Sequence, residues 1–392
     1  MYISRTVEKR ILELQKQYPI ITITGPRQSG KTTLCLNLFK DKKYVSFEDI
    51  ENKHLFKLDP KGFLENYSDG AIFDEVQRVP EIFSYLQTIV DLKGKNGLFI
   101  LTGSQQFELL SKITQSLAGR VAIVRLLPFS FREAYSNSKD ISIEEVVYTG
   151  FYPRIFKEKL NPTQMYSFYV STYLERDVRQ LVNVKDISLF EIFLKICAGR
   201  TGQILNYSAI SNDCGVDIKT VKKWLSILEA SYIIKILRPY YRKLNKRLVK
   251  APKLYFLDTG LICYLLGIKT PEQVRFHPLF GNIFESFVFS EIVKCYYNNI
   301  EELNLYFYRD YKGNEIDLVV DEVINLSLIE IKSAKTVNKE FFKNFEYFIK
   351  QGYNIKNSAL IYGGDENKKI KDYQIISWKY IEKFIKSLLL GA

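Results

Sequence analysis

Histidine is almost missing from this chain of 392 residues, with only His54 and His277 present. Two isolated histidines exclude a histidine-rich metal centre and leave a Ser-His-Asp triad without flanking support. Cysteine is sparse as well. Cys35, Cys197, Cys214, Cys263 and Cys295 are scattered, odd in number and never form a Cys-x-x-Cys pair. That excludes a disulfide framework and a zinc ribbon, so any metal is expected to be a hard cation held by oxygens. No apolar run reaches the length of a bilayer span, and the N-terminus MYISRTVEKRILELQKQ lacks the apolar core of a signal peptide. The expectation is a cytoplasmic protein with no membrane partner.

Acidic residues are also in deficit, leaving a formal net charge of +12. The excess is uneven: Ala230 to Leu257 holds eight basic residues and no acidic one. Such a block suggests a polyanionic partner, and surface solvation is the plainer alternative. Hydrophobic content of 46% with 26% charged residues is globular rather than disordered. The length exceeds what one core serves, so two or three domains are expected.

In the first third, short apolar segments alternate with helical ones, the pattern of a parallel α/β sheet. Strands are expected at Ile20–Thr24, Tyr44–Phe47, Ala71–Asp74, Leu98–Thr102 and Val121–Leu126. The first runs into Gly25-Pro26-Arg27-Gln28-Ser29-Gly30-Lys31-Thr32-Thr33, and a helix follows to Phe39. This is a Walker A loop in its confirming context, strand before and helix after. Glycines let backbone N–H groups converge on phosphate oxygens at a helix N-terminus. Lys31 is expected on the β- and γ-phosphates and Thr32 on a magnesium ion. Asp74 ends the third strand as a Walker B acid, a second magnesium-binding group, and Glu75 is placed to polarise the attacking water. Thr102 and Ser104 end the fourth strand, where a hydroxyl can sense the γ-phosphate; Thr-Gly-Ser is equally an ordinary turn. No Asn-Lys-x-Asp guanine-reading motif occurs, so ATP is favoured by default.

The segments ITGPRQSGKTTL, IFDEVQ, LTGSQQF, SLAGR, GFYPR, YLERDV, FLDTGL, FESFVFSEI and GNEIDLVV together resemble a family of bacterial and archaeal AAA-type ATPases with a C-terminal domain of unknown function. The resemblance covers nearly the whole chain. It implies an AAA-like core of strand order 5-1-4-3-2, and a homo-oligomer, with dimer and monomer as alternatives. It also implies that Arg120 could serve a γ-phosphate across a subunit interface, with Arg176 and Arg200 as rivals.

Beyond this core, residues 1–160 being the ATPase domain, Pro162–Val184 reads as a long helix in a linker spanning 161–200. Residues 201–258 then read as a winged helix. A short helix opens at Tyr207, Gly215 makes a turn, and Ile218–Ala230 forms a second helix, with Ala209, Val221 and Leu225 at packing positions. Lys219, Lys222 and Lys223 lie on the second helix, and Arg242, Lys243, Lys246, Arg247 and Lys250 in the loop of a following hairpin. These are the candidate nucleic-acid contacts, DNA favoured over RNA, mostly to phosphates. Packing against the ATPase core is the structural alternative.

In residues 259–392, Glu285 on a helix precedes Asp317 on one strand and Glu330-Ile331-Lys332 on the next. The layout resembles the PD-(D/E)xK restriction-endonuclease-like fold. Glu330 and Lys332 share a face because strand side chains alternate. With Asp317 and Glu285 they could hold a further magnesium ion and orient water. Ile316 stands where that fold's motif has proline. Three readings follow: an ATPase coupling its nucleotide state to a C-terminal half that binds, or binds and cuts, nucleic acid; an ATP-dependent switch or scaffold with an inert C-terminal domain and a structural winged helix; and, more distantly, a small-molecule kinase.

Overall fold

The computed structural model describes residues 2–104, 117–136, 138, 140–174, 187–240 and 250–389. Five strands form the first sheet: β1 (Ile20–Thr24), β2 (Lys43–Ser46), β3 (Ala71–Asp74), β4 (Phe99–Gly103) and β5 (Val121–Arg125). All pairs are parallel, in the order β2-β3-β4-β1-β5. This is the P-loop NTPase order expected from the sequence, read from the other edge. Strands β1, β3 and β4 are buried along their whole length, as apolar runs between two helical layers must be. The edge strand β2 alternates more, and its Tyr44 stays partly exposed.

Past Leu127 the architecture changes. The helix from Pro162 runs to Tyr169 and continues as a π-helical turn over Val170–Leu174; the rest of the expected span, 175–184, lies outside the described residues. Helices Tyr207–Cys214 and Ile218–Ala230 meet at Gly215, whose φ of +68° closes the turn between them. Val221 and Leu225 are buried as expected, but Ile210 rather than Ala209 fills the core position. A small antiparallel sheet flanks these helices, with β6 (Gln203–Ile204), β7 (Ile234–Leu237) and β8 (Lys253–Phe256) in the order β6-β8-β7. Arg242, Lys243, Lys246 and Arg247 lie outside the described residues.

The last unit is a six-stranded mixed sheet, ordered β13-β14-β12-β11-β10-β9. Its strands are β9 (Leu305–Arg309), β10 (Glu315–Asp321), β11 (Leu326–Lys332), β12 (Ile355–Tyr362), β13 (Lys368–Ile370) and β14 (Tyr373–Ser377). Strands β9, β10 and β11 are antiparallel; β11, β12 and β14 run parallel. One apolar cluster extends from Leu127 to Leu388, so the linker, the helix pair and the helix Phe280–Asn298 share a single core.

Two motifs that stood out in the sequence are joined here. Asp258 caps the helix Thr259–Leu265 through the Leu261 N–H at 3.0 Å, and also accepts the Phe151 N–H at 2.9 Å and the Tyr166 hydroxyl at 2.6 Å. Gly150 precedes this junction at φ +69°, and a Cβ there would lie 2.1 Å from the Tyr166 hydroxyl oxygen. The GFYPR and FLDTGL segments are thus a buried clamp. Asp258→Ala would strand the Phe151 and Tyr166 donors, and the expected loss is about 2–4 kcal/mol in urea unfolding, with Tyr166→Phe costing about 1 kcal/mol.

Candidate functional site

The loop Gly25–Gly30 leaves β1 and enters the helix Lys31–Leu38 at a left-handed Gly30, φ +92°. Close packing dictates the first glycine: a Cβ on Gly25 would meet the Leu126 carbonyl oxygen at 2.0 Å. Lys31 is buried and its ammonium donates to the carbonyls of Gly25 at 3.0 Å and Pro26 at 2.8 Å, arching over the loop it serves. Arg5, from ahead of the first strand, braces the loop from behind. Its guanidinium donates to the carbonyls of Ser29 at 2.9 Å and Leu127 at 2.6 Å and pairs with Glu133 at 3.2 Å, all buried.

Asp74 gathers three hydroxyls. Thr32 donates to it at 2.9 Å, Tyr44 at 2.7 Å, and Thr102 from the tip of β4. Burial and the Asp74 carboxylate together push the Tyr44 phenol above its ordinary range, so it stays a donor. Glu75 follows in a left-handed conformation, φ +55°, and Gln28 in the loop is likewise left-handed at φ +61°. Non-glycine residues rarely hold this geometry unless their surroundings impose it, and such residues cluster at working sites. Gln77 fixes the Glu75 carboxylate by donating at 2.6 Å, and reaches Ser104 at 3.5 Å. Oxygen donors from Thr32 and Asp74 beside the loop suit a hard divalent cation.

A cavity of about 550 Å³ opens over the loop. Arg27, Gln28, Gly30, Lys31, Thr32, Thr33 and Glu75 line it, as do Tyr2, Ile3 and Arg5 from the N-terminal segment and Pro153 and Arg154 beyond the sheet. Sequence reasoning missed Arg5, Tyr44 and Gln77. The alternation of β2, which turns Tyr44 to one face, was the only signal for any of them.

Arg120 lies at the opposite end of the sheet, since its carbonyl accepts the N–H of Ile20, the first residue of β1. It forms a two-point pair with Asp91, at 2.5 and 2.9 Å. It therefore cannot reach the nucleotide cavity of its own chain. Arg200 pairs with Asp213 and does not line the cavity either. Arg176 lies outside the described residues.

In the C-terminal sheet the four expected residues come together in a way the sequence did not anticipate. Lys332 pairs with Asp317 at 3.2 Å and Glu330 at 2.9 Å, and the Ile331 N–H donates to Asp317 at 2.8 Å. Lys253 of β8 enters between Glu285 at 3.0 Å and Glu315 at 2.5 Å, with its side chain 3% exposed. Tyr255 donates to the same Glu285 oxygen at 2.5 Å. Burial pushes the Lys253 ammonium down, but the surrounding Tyr255, Glu285, Asp317 and Glu315 outweigh it and hold it well above its usual range. Burial raises Glu285 and, with Asp317 opposite, raises Glu330; Lys332 and Lys253 hold Asp317 low against its own burial. Lys253 and Lys332, with Arg309 on Glu315 at 2.8 Å, thus give each of these four carboxylates a cationic partner, and among the described residues no group of three or more acids, histidines or cysteines is set to hold a metal. The donor set does not fit a second magnesium ion. Glu315 was legible as the same-face neighbour of Asp317; Lys253 looked like one more charge in the basic block.

On the helix Ile218–Ala230, Lys219, Lys222 and Lys223 are exposed, as is Lys250 before β8. Lys222 lies over the Tyr207 ring at 5.4 Å. No helix among the described residues is long and apolar enough to cross a membrane.

Residues 17–135 match the family model described as an AAA domain, so the chain carries an AAA-type domain on its first sheet. Residues 141–272 and 280–381 match two models described as domains of unknown function, DUF8612 and DUF4143. The chain is similar to the uncharacterized protein Rv2008c of Mycobacterium tuberculosis, 29% identical over 336 residues, covering 85% of this chain and 74% of that one. A Haemophilus influenzae protein is 23% identical over 312 residues, covering 71% and 75%. Among solved structures, the Walker-type ATPase PABY2304 of Pyrococcus abyssi aligns at TM-score 0.47 and 15% identity, over 67% of this chain and 96% of that one. The RuvB Holliday junction branch migration motor of Thermotoga maritima aligns at TM-score 0.30 and 16% identity, over 59% and 89%.

Removing the Lys253 charge while keeping its bulk leaves the largely enclosed Glu285 without its cation and Glu315 with Arg309 alone, at 2.8 Å. Lys253→Met is expected to cost about 3–5 kcal/mol in equilibrium unfolding, and Lys253→Met with Glu285→Gln less than either change alone would suggest.

Proposed function

We propose that this protein is a magnesium-dependent ATPase that couples its nucleotide state to a nucleic-acid-binding C-terminal half. The observation that carries the reading is the cluster at the strand tips: Lys31 on the loop, Thr32 against Asp74, and Glu75 held by Gln77. The AAA domain match over residues 17–135 supports it. Lys31 leaves the loop carbonyls to meet the β- and γ-phosphates, while the loop N–H groups cradle them. Thr32 and Asp74 would hold magnesium, which neutralises phosphate charge when bound. Glu75 takes a proton from the water that attacks the γ-phosphorus; the bond to the β-phosphate oxygen breaks, and ADP leaves. Thr102 keeps Asp74 oriented, and Ser104, through Gln77, reports on the γ-phosphate. In an oligomer Arg120 would act on a neighbour's nucleotide.

For the C-terminal half, the helix pair with its small sheet acts as a winged helix, with Lys219, Lys222, Lys223 and the basic loop from Arg242 to Lys250 on DNA phosphates. The helix Phe280–Asn298 followed by the mixed sheet is consistent with a PD-(D/E)xK-like domain. A second reading, an inert domain in an ATP-dependent scaffold, is favoured by Lys253, which sits among the carboxylates a nuclease would use.

Lys31→Ala should abolish ATP binding in calorimetry. Glu75→Gln should keep binding and lose turnover by about 10²–10⁴-fold, because the amide cannot accept the proton. Equal ATP affinity in Lys31→Ala, or undiminished turnover in Glu75→Gln, would overturn the assignment.

Serine at Arg242, Lys243, Lys246 and Arg247 together should weaken DNA binding and lower the slope of log K against log salt by about 0.9 for each lost contact. An unchanged slope removes the loop from the interface. Magnesium-dependent cleavage by wild type that disappears in Asp317→Ala, with ATP turnover intact, would establish a nuclease; no cleavage by wild type under any nucleotide condition would establish the inert reading.

A further inference from the structure

A cavity of about 890 Å³ lies away from the phosphate loop, and it is larger than the one of about 550 Å³ over that loop. Its walls come from the helix pair with its small sheet, from the end of β5, and from β9 with the helix that precedes it. Backbone joins two of these sides. Beyond β7, the Phe307 N–H of β9 donates to the Arg238 carbonyl at 3.2 Å, and the Tyr240 N–H donates to the Phe307 carbonyl at 2.7 Å. Pro239 forms the bridge between them. The small sheet and the C-terminal sheet are tied together here, so the shape between them is set before any ligand arrives.

Four cations line this cavity: Arg125, Lys235, Arg238 and Lys250. Lys235 is committed to Glu229 at 2.9 Å. Arg125 lies over the Tyr297 ring at 5.2 Å and comes only to 3.6 Å from Glu302, whose side chain is 83% exposed, a weak pair. Arg238 and Lys250 are exposed and form no ion pair among the described residues. The third acid of the lining, Asp321, accepts the Val323 N–H at 2.9 Å. Aromatic rings stand among these charges. Tyr306 of β9 is half-buried and meets Tyr240 edge-on at 5.6 Å. Tyr207 also lines the cavity, and Lys222, from the helix assigned above to phosphates, lies over its ring at 5.4 Å. The basic face of that helix therefore reaches the cavity wall.

We infer that this cavity takes an unstacked nucleotide of a single-stranded nucleic acid, with phosphates on Arg125, Arg238 and Lys250 and a base against Tyr306. The inference rests on the nucleic-acid reading above and narrows it to single strands. Cations interleaved with aromatic rings match both halves of a nucleotide: the cations meet phosphate, and every base offers a face to a ring. An inorganic anion would leave the rings unused, and an apolar ligand would gain nothing from the arginines. The volume falls within the range of about 300–1,000 Å³ that small-molecule sites occupy, which suits a base with its sugar and phosphate. A duplex cannot enter, because its bases are paired and stacked inside, whereas the bases of a single strand can be splayed out. Arg238 starts from a backbone fixed on β9, so its planar fork is presented to phosphate from a defined point.

The test measures, by fluorescence anisotropy, binding of labelled oligothymidylate and oligouridylate of about 15 nucleotides, of a duplex of the same length, and of a thymidine dinucleotide. Wild type is compared with Arg238→Gln, Tyr306→Phe and Tyr306→Ala, each checked by thermal unfolding. Wild type is expected to bind at least one of the single strands. Arg238→Gln should weaken that binding by about threefold or more and lower the slope of log K against log salt by about 0.7. Tyr306→Ala should weaken it by about tenfold, and Tyr306→Phe by less than about twofold, since the phenyl ring keeps the stacking face. Duplex affinity should not change in any of the three. Irradiation of a strand carrying 5-iodouracil should place the crosslink on Tyr306 or Tyr207 of wild type, a readout that needs no variant to fold. If wild type binds neither single strand nor duplex, the nucleic-acid reading fails and this site with it. If wild type binds duplex but no single strand, or binds the dinucleotide as tightly as the longer strand, the single-strand site alone is overturned. Crosslinks confined to other residues overturn it as well, as do unchanged single-strand affinity in Arg238→Gln and Tyr306→Ala, or equal losses on duplex and single strand.

Discussion

The helix Phe280–Asn298 imposes the main constraint on everything after the first sheet. Its sequence is apolar on all sides, and every residue from Ile283 to Asn298 except Glu285 is buried. A helix with no polar face must be enclosed, and its cover comes from distant parts of the chain. Phe287 packs on Phe151 and Trp378, and Tyr255 stacks on Phe289 at 4.3 Å. Several of its polar groups are used at joints. Glu291 accepts the Phe131 N–H at 2.8 Å and pairs with Lys294, which lies over the Phe151 ring at 3.7 Å; Ser286 meets Thr201 at 2.7 Å. This one helix therefore fixes the junction of the AAA-type sheet, the helix pair and the C-terminal sheet.

The nucleotide end of the molecule was largely legible because its signals are local. A glycine loop between a strand and a helix, and an acid at a strand tip, are each readable within a dozen residues, and the strand order followed from the fold they imply. The bracing groups were not legible. Arg5 acts on Ser29 and Leu127, and Tyr44 on Asp74, through contacts that no spacing rule encodes. The C-terminal centre shows the same division. The sequence brought Asp317, Glu330 and Lys332 together correctly, since two neighbouring strands set their faces. It could not foresee Lys253, which arrives from a different sheet and gives Glu285 and Glu315 a shared cation. Within the helix expected from Pro162, the backbone beyond Tyr169 widens to a π-helical turn over Val170–Leu174 that periodicity does not mark.

The two centres also differ in how they hold charge. At the strand tips the acids are met by hydroxyls and an amide, neutral donors that a cation and a triphosphate can displace or supplement. In the C-terminal sheet the acids are met by ammonium groups, one buried and one partly exposed, which leave little for an incoming metal to gain. The first arrangement is poised for an exchange of partners, the second for permanence.

At the root of the phosphate loop, Thr24 shares a hydrogen bond with the hydroxyl of Tyr232, a bulky residue held at φ +57° after the second helix of the helix pair. The two are 208 residues apart. On a ribosome, at about 5–20 residues per second, the partner of Thr24 emerges roughly 10–40 s after the loop itself. The first sheet must wait through that interval with its stem unfinished and one end uncovered. A stall in the middle of the message would leave the loop's stem without its Tyr232 anchor.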